Sequence, residues 1–542
     1  MSMLSRRRFL GATAVTALGA GGAGGAAWWL SSNREPAPQR DHHTAIVIGS
    51  GYGGGVSALR LGQGGTDTLV LEMGRHWDTP DADGRRFTKM LPADTRAGWF
   101  TDRPPSLVTS YGGFSLDDVA RNSPSPQPTQ AGICNMEVHG AHRVFRGTCV
   151  GGGSMVNAGV AAIPTPAQIA DTFPDLDADE FLTTYLERAK TTLQISYRDM
   201  DWFEQTPYFQ FARVGRSYAA AAGYPVDYNG SAYSFDYLRD EADNLVPRSA
   251  LAFEQQFGNN YGRYGSIDQT YLAAAMATGN VALRPLTEAT DIRREPSGEY
   301  VVSTRTIDRW GAELSRAEIG CTQLYLAAGV LGTTKLLLRA RELGGLPDLN
   351  DEVGRGYGNN GDIMVAHGLR DSDPAGTDQS LLGLINIDGR ADPENPVYAT
   401  MFAIPLPVET HMLGYYVMVR TADRAEIAYD RQADSVTIDW PAVYTERQAE
   451  RAARVFDKVT QANGVEYRND LFSGEVFAPN TVHPLGGCVR GQATDLFGRV
   501  KGYDNLVVND ASQLPGYLGC NPFMSITALA ERNIEAVIQG RH

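Results

Sequence analysis

Gly49-Ser50-Gly51-Tyr52-Gly53-Gly54 is a G-x-G-x-x-G segment. Glycines at that spacing allow a tight turn and close backbone approach, so the N–H groups that open a helix can face a pyrophosphate. Glu72 lies 23 residues after Gly49. A carboxylate there accepts hydrogen bonds from ribose hydroxyls and disfavours a 2′-phosphate. A second glycine-dense stretch runs from Arg146 to Asn157. Gly151 and Gly152 would let backbone lie against a planar ring, with Ser154 and Asn157 offering hydrogen bonds. Near the C-terminus, His483 precedes a Pro-Leu-Gly-Gly turn, and Asn521-Pro522-Phe523 follows 38 residues later. A histidine and an asparagine on either side of one strand can serve as a proton acceptor and a hydrogen-bonding group for a reacting oxygen.

These residues need a sheet to carry them. Thr44-Ala45-Ile46-Val47-Ile48 reads as a buried strand, Val56 to Leu61 as a helix and Thr68 to Glu72 as a second strand. That is the βαβ context in which the glycine motif carries information. Leu324 to Gly329 reads as a strand entering a small-residue turn, and Leu506 to Asp510 as a strand ending in an acid. Asp510 could reach a flavin's ribityl chain from the carboxyl edge of the same sheet, which a nicotinamide enzyme would not require. The nucleotide site is thus assembled from distant segments and favours FAD over NAD. Asn521-Pro522 opens an apparent helix through Ile538, with proline in its first turn. The positive end of that helix would stabilise charge on a reduced flavin.

The chain has 542 residues, 42% of them hydrophobic and 20% charged, with a net charge of −15. That composition suits a packed globular protein and disfavours nucleic-acid binding or broad adhesion to anionic membranes. The five cysteines (134, 149, 321, 488 and 520) show neither metal spacing nor a dense disulfide framework, so no metal is expected. Ser5-Arg6-Arg7-Arg8-Phe9-Leu10, followed by the weakly apolar run Gly11 to Leu30, reads as a twin-arginine export signal over residues 1–30. Residues 31–43 read as a linker. The expected location is secreted, periplasmic or at the cell surface. No Ala-x-Ala pattern closes the apolar run, so an uncleaved anchor is also compatible with the sequence.

The sequence resembles the glucose–methanol–choline family of FAD oxidoreductases, and within it the bacterial non-covalent cholesterol oxidases. The resemblance rests on Gly49 to Gly54 with Glu72, Arg146 to Gly159, Tyr357-Gly358-Asn359-Asn360-Gly361, His483 to Cys488, and Asn505 to Asn533. It implies an α/β architecture: a Rossmann-like FAD domain (44–160, 262–350 and 476–542) interleaved with a substrate domain built on a mixed β-sheet (161–261 and 351–475). It implies that His483 and Asn521 are the active-site pair and that FAD is held non-covalently. Gly49, Gly51, Tyr52, Gly53, Gly54, Glu72, Gly151, Gly152, Ser154, Asn157, Asp510, Pro522 and Phe523 are the expected cofactor contacts. The implied reaction is oxidation of a sterol 3β-hydroxyl by hydride transfer, with dioxygen reduced to hydrogen peroxide. Peripheral contact with a membrane would let the enzyme extract such a substrate. The alternatives are a dehydrogenase of another bulky alcohol that uses an electron carrier, and a catalytically silent flavin- or lipid-binding protein. Two positions depart from the family pattern. Thr400 stands where the sterol oxidases carry an isomerising glutamate, with Glu409 the nearest downstream carboxylate, and Ala158 stands where glycine is usual.

Overall fold

A computed structural model describes residues 41–541, apart from 90–92, 103–127, 262–264, 379, 381–383, 404–407 and 469–479. The expected export signal and the linker up to residue 40 lie outside the described residues. The linker was expected to reach residue 43, but the first strand already spans Asp41–Ile48. It lies between the Thr68–Leu71 and Glu313–Leu326 strands, so backbone pairing is available on both sides.

Seven strands form one sheet. Asp41–Ile48, Thr68–Leu71 and Val281–Arg284 pair in parallel, and so do Glu313–Leu326 and Leu506–Val508. Thr287–Arg294, Tyr300–Ile307 and Glu313–Leu326 extend the sheet as an antiparallel meander. The alternation of side chains along a strand explains why both faces are covered. Ala45 and Val47 point into one core and Ile46 and Ile48 into another. The helices Tyr52–Gln63, Tyr271–Ala277 and Phe523–Ile538 supply residues to the first core, and Gly329–Glu342 to the second. Glu531, wholly buried on the last helix, binds Arg60 at 2.6 Å and accepts from the Tyr271 hydroxyl at 2.8 Å. One carboxylate thereby ties these three helices of the first core together, a buried charge made tolerable by its pairing.

Val226–Tyr228, Ile385–Asp388, Val397–Phe402, Met412–Val419 and Asp362–Gly368 form a five-stranded sheet. The α/β class with two large sheets is as expected. The mixing of strand directions falls on the seven-stranded sheet, while the five-stranded sheet pairs antiparallel throughout. Ile387, Ala399, Met401, Leu413, Tyr415 and Val417 pack into a third core shared with the helices Gln210–Ala221 and Ala442–Asn463. The period of two then sends Thr400, Phe402 and Tyr416 to the opposite face, where they line a cavity against the seven-stranded sheet. Among the described residues, no helix is long and apolar enough to cross a membrane.

Candidate active site

The cavity, about 670 Å³, runs from the carboxyl ends of the parallel strands to the five-stranded sheet. The strand–turn–helix at its floor is tighter than the motif alone suggested. The helix begins at Tyr52, not Val56, directly from the glycine turn. Gly49 has φ +96°, and a Cβ there would lie 2.2 Å from the Ala327 carbonyl oxygen. At Gly53 and Gly54 a Cβ would lie 1.5 Å from the Asn509 oxygen and 1.9 Å from the Gly49 oxygen. These glycines let helix, strand and turn close on one another. Gly51 differs, because a Cβ there would meet only the Gly152 Cα, at 3.9 Å. No side chain caps this helix, so its first N–H groups stand at a cavity lined by Gly51, Tyr52 and Gly53.

Glu72 follows the Thr68–Leu71 strand. Its Oε2 accepts from Ser50 N (3.0 Å) and Ser50 Oγ (2.7 Å), and its Oε1 from Gly74 N (2.8 Å). Burial pushes its carboxyl upward, opposed by these hydrogen bonds and by Arg146. Three of a carboxylate's four acceptor positions are filled, leaving one for a ribose hydroxyl. Asp510 is more fully committed. Gly329 N (2.9 Å) and Thr333 Oγ1 (2.6 Å) donate to one oxygen, and Ser512 N (2.9 Å) and Oγ (2.6 Å) to the other. It lines the cavity, but its carboxylate fixes the Gly329 turn and has no acceptor position left for a ribityl hydroxyl.

The second glycine loop divides in the same way. Gly152 and Asn157 line the cavity, and Asn157 Nδ2 donates to the Tyr52 hydroxyl. Ser154, expected to face the cofactor, instead donates to Gly151 O (2.7 Å) and accepts from Ile267 N (3.0 Å), which locks the short Gly152–Met155 turn. Gly151 (φ +92°) makes that turn possible. Neither Gly151, Ser154 nor Gly54 lines the cavity. Pro522 caps the last helix, which starts at Phe523; the sequence reading had placed proline inside the first turn. Phe523 stacks on Tyr52 with ring centroids 5.3 Å apart. Open helix N–H groups, room at Gly51 and a partly free ribose-facing carboxylate fit a dinucleotide such as FAD.

At the other end of the cavity His483 and Asn521 both face the space. His483 Nδ1 lies 2.9 Å from Asp362 Oδ1. Its Nε2 has no partner among the described residues and is left to the cavity. Asn521 Oδ1 accepts from Thr400 Oγ1 at 3.3 Å, leaving its amide N–H groups for the cavity. Thr400 therefore sits beside Asn521 in the cavity that His483 also lines. Glu409 does not: it accepts from Ala375 N, Gly376 N and His411 N and staples a loop. Sequence reasoning missed Asp362, Tyr416 and Thr481. Asp362 directly follows the Tyr357–Gly361 segment, where an acid after a glycine looks like an ordinary turn residue. All five cysteines are free and buried, and among the described residues no cluster could hold a metal.

Residues 360–473 match the family model described as GMC oxidoreductase, C-terminal. The chain is similar to a cholesterol oxidase of Acinetobacter baumannii, 24% identical over 90% of this chain and 93% of that protein. It is also similar to a cholesterol oxidase of Mycobacterium tuberculosis, 23% identical over 90% of each. Among solved structures it resembles a pyridoxine 4-oxidase from Mesorbium loti, with a TM-score of 0.58 and 17% identity over 93% of this chain and 100% of that one. A fungal aryl-alcohol oxidase aligns with a TM-score of 0.61 and 13% identity over 92% and 99%. At such identities these two structures speak to the fold alone.

Proposed function

We propose that this chain, a glucose–methanol–choline oxidoreductase acting on alcohol-type donors, oxidises a bulky secondary alcohol of the sterol class at its 3β-hydroxyl, using non-covalent FAD and dioxygen. One observation carries the reading. His483 Nε2, a proton acceptor, and the Asn521 amide, a donor, both face the cavity without a partner among the described residues. A hydroxyl needs one of each, since it gives its proton and accepts at its oxygen. His483 takes the hydroxyl proton as the alcohol becomes a carbonyl, and Asn521 holds the oxygen in place. Thr400 orients Asn521. FAD, when bound along Gly51, Tyr52 and Glu72, supplies the two-electron acceptor for the carbinol hydrogen. Phe402 and Tyr416 offer an apolar wall to the substrate's body.

The sterol class is supported by the names of relatives that span 90% of the chain. Thr400 argues for oxidation without double-bond isomerisation, because a hydroxyl cannot carry a proton between two carbons at neutral pH. The Arg6-Arg7 segment supports export as a folded holoprotein, secreted or held at the cell surface, where peripheral membrane contact would give access to sterol. The test is anaerobic titration of the purified flavoprotein with a panel of 3β-hydroxysterols and simple alcohols. Bleaching of the flavin by the sterols and not by short alcohols is expected. Reduction by short alcohols alone would overturn the sterol assignment, and reduction by none of them the alcohol reading.

A further inference from the structure

We infer that Asp362 is the positioning residue that decides which nitrogen of His483 takes up the alcohol proton, and that it holds the charge this creates. The inference rests on the proposed alcohol chemistry and deepens it. Asp362 opens the Asp362–Gly368 strand, and its side chain is wholly inaccessible to solvent. Its Oδ1 meets His483 Nδ1 at 2.9 Å. Its Oδ2 accepts from Thr481 Oγ1 at 2.6 Å and from the Tyr416 hydroxyl at 2.8 Å.

The direction of these hydrogen bonds follows from what else the hydroxyls do. The Tyr416 oxygen accepts from Val482 N at 3.1 Å, and Thr481 Oγ1 accepts from His483 N at 2.9 Å. Each hydroxyl has one proton; that of Tyr416 is directed at Asp362 Oδ2, and so is that of Thr481, whose 2.6 Å contact with Oδ2 is shorter than its 3.3 Å contact with the Asn359 carbonyl oxygen. That oxygen can only accept. The other oxygen receives Nδ1–H, and the lone pair of the imidazole is left on Nε2, which faces the cavity. The ring is held in that orientation by the Tyr416 ring, edge-on at 5.5 Å, and through its own backbone N–H.

The same geometry accounts for the charge. Among the described residues, no lysine or arginine pairs with Asp362, and His483 is its one partner able to become positive. A buried carboxylate without a cationic partner is costly, and the cost falls when the partner becomes positive. When the hydroxyl O–H breaks, its proton goes to Nε2, Nδ1 keeps its own, and an imidazolium–carboxylate pair forms. The O–H electron pair completes the carbonyl, and bound FAD would supply the two-electron acceptor for the carbinol hydrogen. Asp362 remains a carboxylate throughout, and its effect is exerted through His483 alone.

Asp362→Asn separates this from a merely structural role. The two hydroxyl protons hold the asparagine oxygen at the former Oδ2 position, so its amide donates to His483 Nδ1. The imidazole proton is driven to Nε2, and the alcohol loses its acceptor. In the holoenzyme, ¹⁵N-histidine NMR, with the signal assigned by its loss in His483→Gln, is expected to show the Nδ1–H form in the native protein and the Nε2–H form in Asp362→Asn. Flavin reduction by the alcohol should fall about a hundredfold or more, with flavin content and substrate KM within about threefold of native. An Nε2–H tautomer in the native protein overturns the inference, as does a flavin-replete Asp362→Asn that reduces within threefold of the native rate. The NMR arm requires no substrate. If no alcohol reduces the native enzyme, the functional reading fails, while the tautomer result still tests Asp362.

Discussion

The glycines of the nucleotide turn look alike in sequence but should behave differently on substitution. At Gly53 an added Cβ lies 1.5 Å from the Asn509 carbonyl oxygen and 2.7 Å from its carbon. Non-bonded carbons pack at about 3.5–4.0 Å, so helix and strand must part by about 2 Å. Overpacking of this kind costs about 1–3 kcal/mol, and a backbone obstacle that cannot rotate away puts the cost at the upper end. The gain from alanine's helix propensity, at most about 1 kcal/mol, offsets part of it. Gly53→Ala should therefore destabilise even the flavin-free protein by about 2 kcal/mol. Gly51 has φ −73°, which ordinary residues adopt, and its Cβ meets nothing closer than 3.9 Å. Gly51→Ala should leave apoprotein stability within about 0.5 kcal/mol, yet place a methyl where the pyrophosphate is expected. The same overpacking range then falls on binding and raises the FAD Kd about ten- to a hundredfold. Urea unfolding of the apoproteins, together with flavin titration, measures both. If Gly51→Ala binds FAD as tightly as the native chain, the cofactor does not lie along this turn. If Gly53→Ala unfolds at the native urea concentration, the close-approach argument fails.

Three further outcomes are expected. His367 is buried against Tyr218 and Tyr415, and burial lowers its pKa to about 4, so it folds neutral. The stability this contributes is complete above pH 6.5 and is lost as pH falls towards 4. Native protein should lose about 2–3 kcal/mol more than His367→Gln between pH 7 and 4.5 in urea titrations, and parallel losses would show that another group is responsible. Given a 3β-hydroxy-5-ene sterol, the native enzyme should release mainly the unconjugated 5-en-3-one, and Thr400→Glu should raise the conjugated 4-en-3-one, followed by ultraviolet absorbance. Rapid conjugated enone from the native enzyme would show that another base operates. Replacing Arg6 and Arg7 with lysine should retain active enzyme in the cytoplasm, whereas unimpeded export would point to a different signal.

The βαβ part of the candidate nucleotide site could be read from the chain because its elements are contiguous. Strand, glycine turn, helix and Glu72 fall within one βαβ unit, so spacing alone fixes their relation. Asp510 and Ser154 were expected to contact the cofactor, but Asp510 lines the cavity with its carboxylate already committed and Ser154 does not line it. Which hydrogen bonds a polar side chain satisfies depends on neighbours such as Thr333 and Ile267, far away in sequence. The support behind His483 was hidden for a related reason. Tyr416 sits within the run Met412–Val419, where it reads as one more apolar residue, and only the strand's facing assigns its hydroxyl to Asp362. Thr481, Asp362 and Tyr416 come from three separate strands and meet only in the fold.

The central claim is that an alcohol is held between His483 and Asn521 and gives up its proton to the histidine. Stopped-flow measurement of anaerobic flavin reduction by a 3β-hydroxysterol, in native protein and in His483→Ala, tests it most directly. The account predicts a fall of about a hundredfold or more in the reduction rate, with flavin content unchanged because His483 touches no part of the nucleotide cradle. Reduction of the fully loaded variant at close to the native rate would contradict it.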